Sequence, residues 1–149
     1  MHRQGAAWMQ AIAIVAIALA IGVALLWRLR LPFDNDTLAI EVAQLRSDAA
    51  EAAALAHSVR ADQLAPGFVR LHAEQLSIKV QSVDATLRGK SARAPLGDAL
   101  DHARQSAGAL LAALDALSED GQRPLTQTLP FDALAQRLDA LHRQLKPAG

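Results

Sequence analysis

Four histidines lie in the helical part of this 149-residue chain. Histidine binds metals and haem, and it exchanges protons near neutral pH. They are His57, His72, His102 and His142, and in the heptad positions derived below none occupies an inward a or d position. A di-iron bundle also needs inward glutamates and a Glu-x-x-His motif, which this sequence lacks. We therefore predict surface histidines, no metal and no cofactor. The alternative is weak binding of a divalent ion by two surface pairs, His57 with His72 and His102 with His142.

Other reactive side chains are absent or scattered. The sequence has no cysteine, which excludes disulfides, thiolate metal sites and cysteine nucleophiles. Its serines fall inside predicted helices, and its carboxylates are spread singly along polar faces. We therefore expect a protein that is not an enzyme.

The charge balance argues against nucleic acid as a partner. Lys and Arg total 15 and so do Asp and Glu, which gives a formal net charge of zero. The longest basic cluster, Arg88, Lys90 and Arg93, is short and has no aromatic side chain beside it for base stacking. We expect no nucleic-acid binding.

The first 31 residues predict a membrane anchor. An uncharged apolar segment extends from Ala6 to Trp27, and about 20 such residues in a helix cross a bilayer core. Trp8 and Trp27 mark its two ends, where tryptophan favours the lipid headgroups, and Arg28 and Arg30 follow. A cleaved signal peptide is the alternative, but its apolar region is usually shorter, roughly 7–15 residues.

The anchor carries two further predictions. Ala11, Ala18 and Gly22 lie on one helical face, where small residues let transmembrane helices approach closely. The number of arginines is nearly equal on the two sides of the segment, so the positive-inside rule does not predict which end faces the cytoplasm. We expect a single-pass protein of the plasma (inner) membrane, and we favour an extracytoplasmic bundle as a prior for N-terminal signal anchors.

Four helices are predicted after a linker at residues 32–36, within a bundle domain at residues 37–149. They cover about 37–64, 66–88, 95–118 and 130–146, and Gly89 is expected to end the second helix in a left-handed conformation. Short connections make successive helices antiparallel, which predicts an all-α, up-down-up-down four-helix bundle. The alternative is a helical hairpin that completes its core by dimerising. Because the last helix is shorter, one end of the bundle is expected to be three helices thick.

The predicted core follows apolar positions spaced alternately three and four residues apart. The four sets are Leu38, Val42, Leu45, Ala49, Ala52, Ala56 and Val59; Val69, Ala73, Leu76, Val80, Val83 and Leu87; Leu96, Leu100, Ala103, Ala107, Leu110, Leu114 and Leu117; and Phe131, Leu134, Leu138, Leu141 and Leu145.

A short repeat precedes the first and the last of these helices. Leu31-Pro32-Phe33-Asp34 recurs as Leu129-Pro130-Phe131-Asp132. Proline and aspartate are both favoured at helix starts, so we interpret the repeat as convergence and expect its two copies at opposite ends of the bundle.

Apolar residues outside the core pattern predict a partner surface on the second helix. Leu71 and Ile78 occupy the f position, farthest from the bundle axis, with Phe68 beside them, and Ile40 takes the same position on the first helix. Contiguous apolar residues on an outer face mark interaction sites. The alternative is that the loop carrying Leu125 and Leu129 covers them.

These features together predict a membrane-anchored protein that acts as an interaction, scaffold or accessory subunit. Its expected partners are the lipid bilayer and other membrane or membrane-proximal proteins, with a homo-oligomer as one form. One alternative is a membrane-proximal module that senses or relays a signal, and another is a bundle that binds a cofactor or metal.

Overall fold

A computed structural model of the protein describes residues 32–120 and 130–146, and these residues form four α-helices. The helices are α1 (Asn35–Arg60), α2 (Pro66–Gly89), α3 (Gly97–Asp120) and α4 (Phe131–Leu145). In these two ranges the β-type pairing consists of one isolated bridge between Phe33 and Ala92. The predicted all-α four-helix bundle is therefore confirmed in the described part of the chain.

The helices pack most closely as two pairs, α1 with α4 and α2 with α3. Side-chain contacts show that α1 and α4 are antiparallel. The Asn35 amide at the start of α1 donates to the carbonyl oxygen of Leu145 at the end of α4. Farther along α1, Arg46 contacts Asp139 at 2.8 Å, and near its end His57 contacts Asp132 at 3.2 Å.

The core follows the predicted heptad positions. All of the predicted core residues are buried except Val59 and Leu96, which are partly buried and pack against the core. α1 contributes a row of small buried residues, Ala49, Ala52, Ala53 and Ala56. Their small side chains allow α1 to contact α3 across the bundle as well as its neighbours α2 and α4.

The structure corrects the predicted end of α1. This helix ends at Arg60, earlier than the expected residue 64, because Asp62 adopts the left-handed conformation with φ 53°. The N–H of Asp62 donates to the carbonyl of Val59, and the N–H of Gln63 donates to that of Ser58. This is the Schellman arrangement, in which glycine or asparagine usually takes the left-handed position. An aspartate at this position is therefore a weaker signal for a helix end than a glycine or an asparagine.

The prediction that Gly89 ends α2 in a left-handed conformation is wrong. Gly89 is the last residue of α2, and none of the described glycines has a positive φ. The carbonyl groups at this helix end are satisfied instead by Arg104 of α3. Its guanidinium donates to the carbonyl oxygen of Leu87 at 2.9 and 3.1 Å and to that of Lys90 at 2.8 Å. An arginine from a neighbouring helix thus replaces the glycine cap.

Predictions on the N-terminal segment lie outside the described residues. These are the anchor residues Trp8, Trp27, Arg28 and Arg30 and the helix-packing residues Ala11, Ala18 and Gly22. Leu125 and Leu129, the loop residues that are the alternative cover for the apolar face of the second helix, also lie outside the described residues. Within residues 32–120 and 130–146, no helix is both long and apolar enough to cross a membrane.

Candidate interaction surface

The outer face of α2 exposes the large apolar side chains that the heptad pattern places there. Phe68 is 52% exposed, Leu71 is 55% exposed and Ile78 is 67% exposed. Val69, Leu76 and Val80 of the same helix are buried in the core. α2 therefore has two apolar faces, one packed in the bundle and one in contact with solvent. We refer to Phe68, Leu71 and Ile78 as the outer stripe.

Charged and aromatic contacts border the outer stripe. The Phe68 ring stacks on His72 with their centroids 5.6 Å apart. His72 Nε2 lies 2.9 Å from Glu51 of α1, and Lys79 Nζ lies 3.6 Å from the same carboxylate. The apolar residues of the outer stripe thus have a polar border on the α1 side.

Ile40 is exposed too, at 68%, but it lies on a different helix. It occupies the outward position near the start of α1, whereas the outer stripe belongs to α2. A single exposed apolar side chain is common on protein surfaces and does not mark a site. The candidate surface therefore consists of the α2 residues.

A concave region lies between α3 and α4. It is a half-open groove with a volume of about 400 Å³, lined by His102, Gln105, Ser106, Ala109, Leu134, Arg137, Ala140, Leu141 and Gln144. Along this groove α4 packs less closely on α3 than it does on α1. No carboxylate contributes to its lining.

Three of the four described histidines contact a carboxylate or a backbone carbonyl oxygen. His57 contacts Asp132, His72 contacts Glu51, and His142 Nδ1 lies 3.2 Å from the carbonyl oxygen of Ala39. His102 lines the α3–α4 groove. Over residues 32–120 and 130–146, no group of three or more histidine, aspartate or glutamate side chains could hold a metal ion.

Phe33 is a buried core residue that sequence reasoning missed. Although it lies in the predicted linker at residues 32–36, it is 3% exposed, and α1 begins only two residues later, at Asn35. Its N–H donates to the carbonyl oxygen of Ser91 at 2.8 Å, and Lys90 Nζ lies 4.9 Å from the centre of its ring. These contacts connect the start of α1 to the loop between α2 and α3.

The repeat around Phe33 was the available signal. Phe33 and Phe131 occupy equivalent places in the two copies and both are buried. The antiparallel contacts of α1 and α4 place the copies at opposite ends of the bundle, as expected. Helix-start chemistry explains the prolines and aspartates, whereas both phenylalanines are buried members of the core.

Two buried carboxylates, Asp48 and Asp84, also escaped prediction. Asp48 of α1 is 1% exposed and accepts hydrogen bonds from Gln44 of the same helix, at 3.1 and 3.3 Å. Burial raises the pKa of Asp48, an effect that the Gln44 hydrogen bond and the Lys79 charge partly oppose. Its place beside the alanines of α1 makes it a destabilising polar group in the core.

No known protein family matches the chain, and no significant match is found among curated proteins or solved structures.

Proposed function

We propose that this protein is a membrane-anchored helical bundle that binds other proteins as an interaction, scaffold or accessory subunit. The outer stripe of α2 is the observation that carries this proposal. Its three large apolar residues are each more than half exposed while the core is complete without them. Leaving such side chains in water costs free energy that association would recover, at about 25 cal/mol per Å² of apolar surface buried.

The anchor is the second part of the proposal and rests on the sequence. The uncharged segment from Ala6 to Trp27 has the length and the flanking residues of a membrane-spanning helix. We propose a single-pass protein of the plasma (inner) membrane with the bundle on the extracytoplasmic side. Because the chain has no native cysteine, one introduced at exposed Ala112 reports the side directly through its reaction with a membrane-impermeant maleimide on intact cells.

An interaction role fits the observed chemistry better than an enzymatic one. Three of the described histidines contact carboxylates or a backbone carbonyl oxygen, and the fourth lines the α3–α4 groove. The most buried carboxylate, Asp48, is bonded to its own helix. We therefore propose a non-enzymatic function without a resident cofactor.

A pull-down from gently solubilised membranes tests the proposal. The wild-type chain should retain a defined set of membrane or membrane-proximal proteins, and Leu71→Glu/Ile78→Glu should lose them. Ala112→Glu is the matched control, because Ala112 is exposed at the corresponding outward position of α3. Circular dichroism should show equal helix content in all three proteins. Retention of the same partners by the double variant would contradict the proposal.

Signal relay is the second candidate, and the Phe33 contacts favour it. Residue 33 follows the predicted anchor after one proline, and its backbone is bonded to the α2–α3 loop. Arg104 connects that loop to α3 through the Lys90 carbonyl. A displacement of Phe33 would therefore act on three helices together. A relay requires that Phe33→Leu alter partner binding while the fold is retained, whereas unchanged binding would contradict it.

A further inference from the structure

The exposed face of α2 repeats with the spacing of a second coiled-coil seam. Positions alternately three and four residues apart are occupied by Phe68, Leu71, Gln75, Ile78, Ser82 and Ala85, and all six residues are exposed. The same spacing on the opposite face of α2 builds the core of the bundle. Heptad spacing on a solvent-facing surface fits a helix partner better than a compact ligand.

We infer that this seam pairs in parallel with the same seam of a second copy of the chain. The inference rests on the proposed function and names its partner. Two copies would place Leu71 against Leu71 and Ile78 against Ile78, as d positions do in a parallel dimer. Gln75 would meet its counterpart at the centre, where a side-chain amide can both donate and accept.

The charges beside the seam select the parallel orientation. Glu74 flanks it on one side and Lys79 flanks it on the other, five residues later, with 57% and 53% of their side chains exposed. In a parallel pair, a residue on the Glu74 side of the seam faces the residue five positions later on the opposite side of the other helix, so Glu74 of each copy faces Lys79 of the other. Two opposite-charge contacts therefore form by symmetry.

The antiparallel arrangement has the opposite electrostatics. If Leu71 packed against Ile78 of an antiparallel copy, the symmetry axis would pass near residues 74 and 75. Glu74 would then face Glu74, and like charges in direct contact disfavour association. The sequence of α2 thus matches one orientation of itself and opposes the other.

The size of the seam predicts a weak dimer that depends on the membrane. From Phe68 to Ala85 the helix is about 27 Å long, and one helix face buries less than the roughly 800 Å² per partner of a standard interface. A shared bilayer would raise the local concentration and orient both copies alike, which favours a parallel pair. Self-association is therefore expected for the full chain in a membrane.

Cysteine crosslinking tests this inference without interference from native thiols, since the chain has none. The full chain is placed in lipid nanodiscs large enough for two copies and oxidised. Leu71→Cys and Ile78→Cys should each crosslink to themselves, at least about tenfold more than Ala112→Cys on the outer face of α3. Crosslinking only in a mixture of the Leu71→Cys and Ile78→Cys chains would indicate the antiparallel pair and overturn the inference.

A charge-swap experiment tests the Glu74 and Lys79 contacts. Differently tagged Glu74→Lys and Lys79→Glu chains are mixed, each carrying Leu71→Cys. Crosslinks between the two variants should exceed those within either variant by about tenfold, because only the mixed pair restores both opposite-charge contacts. Equal yields of mixed and unmixed crosslinks would overturn the assigned pairing.

The outcome also separates this inference from the proposed function. If no position of α2 crosslinks but Leu71→Glu/Ile78→Glu still loses other proteins in the pull-down, the outer stripe binds a different partner and the self-pairing is wrong. If the stripe variants lose neither self-association nor any partner, the proposed function fails as well.

Discussion

The backbone N–H of Phe33 donates to the carbonyl oxygen of Ser91 at 2.8 Å, so a residue two positions before α1 is bonded to the loop between α2 and α3. The Phe33 side chain is buried at the same place. A segment that the sequence predicts as a linker thus belongs to the core of the bundle. Any force on residue 33 acts on the packed domain directly.

Truncation of this side chain should destabilise the bundle strongly. Phe33→Ala is expected to lower the free energy of unfolding by about 3–5 kcal/mol, the usual cost of removing a buried phenylalanine. Phe68→Ala is the matched control, since Phe68 is 52% exposed and its loss should cost much less. Urea unfolding followed by circular dichroism measures both. Equal effects of the two substitutions would show that Phe33 is not part of the core.

Arg104 should stabilise the fold through the geometry of its guanidinium donors as well as through its charge. It contacts Asp101 at 3.1 Å and also satisfies the carbonyl groups at the end of α2. Arg104→Lys keeps the charge but loses the forked set of donors, and we expect a loss of about 1–3 kcal/mol in the free energy of unfolding. Arg70→Lys should change it by less than about 0.5 kcal/mol, because Arg70 is exposed and lies 3.9 Å from its nearest carboxylate.

If Arg104→Lys and Arg70→Lys both have the free energy of unfolding of the wild type, Arg104 does not stabilise the end of α2. Hydrogen exchange at the last turn of α2 gives a second readout. This turn should lose protection in Arg104→Lys while the middle of α2 stays protected.

Asp48 should make the fold more stable in mild acid than at neutral pH. Since burial raises its pKa, the folded state binds a proton more readily than the unfolded state, and protonation as the pH falls favours folding. Asp48→Asn removes the charge and keeps an acceptor for Gln44. We expect a higher Tm than wild type at pH 7, by a few degrees, and a difference that shrinks as the pH falls towards the ordinary carboxyl range.

Asp139 provides a control of opposite sign. Hydrogen bonding from Arg46 lowers the pKa of Asp139, with a further contribution from the charge of Arg143. Its carboxylate therefore favours folding at neutral pH, and this contribution disappears as the pH falls through the lowered pKa. Asp139→Asn should lower the Tm at pH 7, and the loss should diminish in acid. Thermal scans of both variants across pH would contradict this account if the two differences had the same sign.

Heptad spacing predicted most of this fold because core burial in a bundle depends directly on residue type and helical period. Leu38, Leu76, Leu110 and Leu138, one from each helix, are all fully buried. The same pattern placed Leu71 and Ile78 on the solvent side of α2. Those residues remain the basis of the proposed interaction.

Two of the features that sequence reasoning missed depend on contacts between distant residues. Arg104 caps a helix 14 to 17 residues before it, and Phe33 pairs with a loop almost sixty residues later. The end of α1 depends on a left-handed aspartate, for which propensity is only a weak guide. None of these can be derived from local periodicity.

The central claim is that the outer stripe of α2 is covered by protein in the membrane. Maleimide labelling tests it most directly, with a single cysteine at position 71, 78 or 112 of the full chain. In native membranes we expect cysteines at 71 and 78 to react at least about tenfold more slowly than in detergent that dissociates complexes, while the cysteine at 112 reacts equally in both. Equal rates at all three positions in native membranes would show that the stripe is uncovered, and would contradict the account.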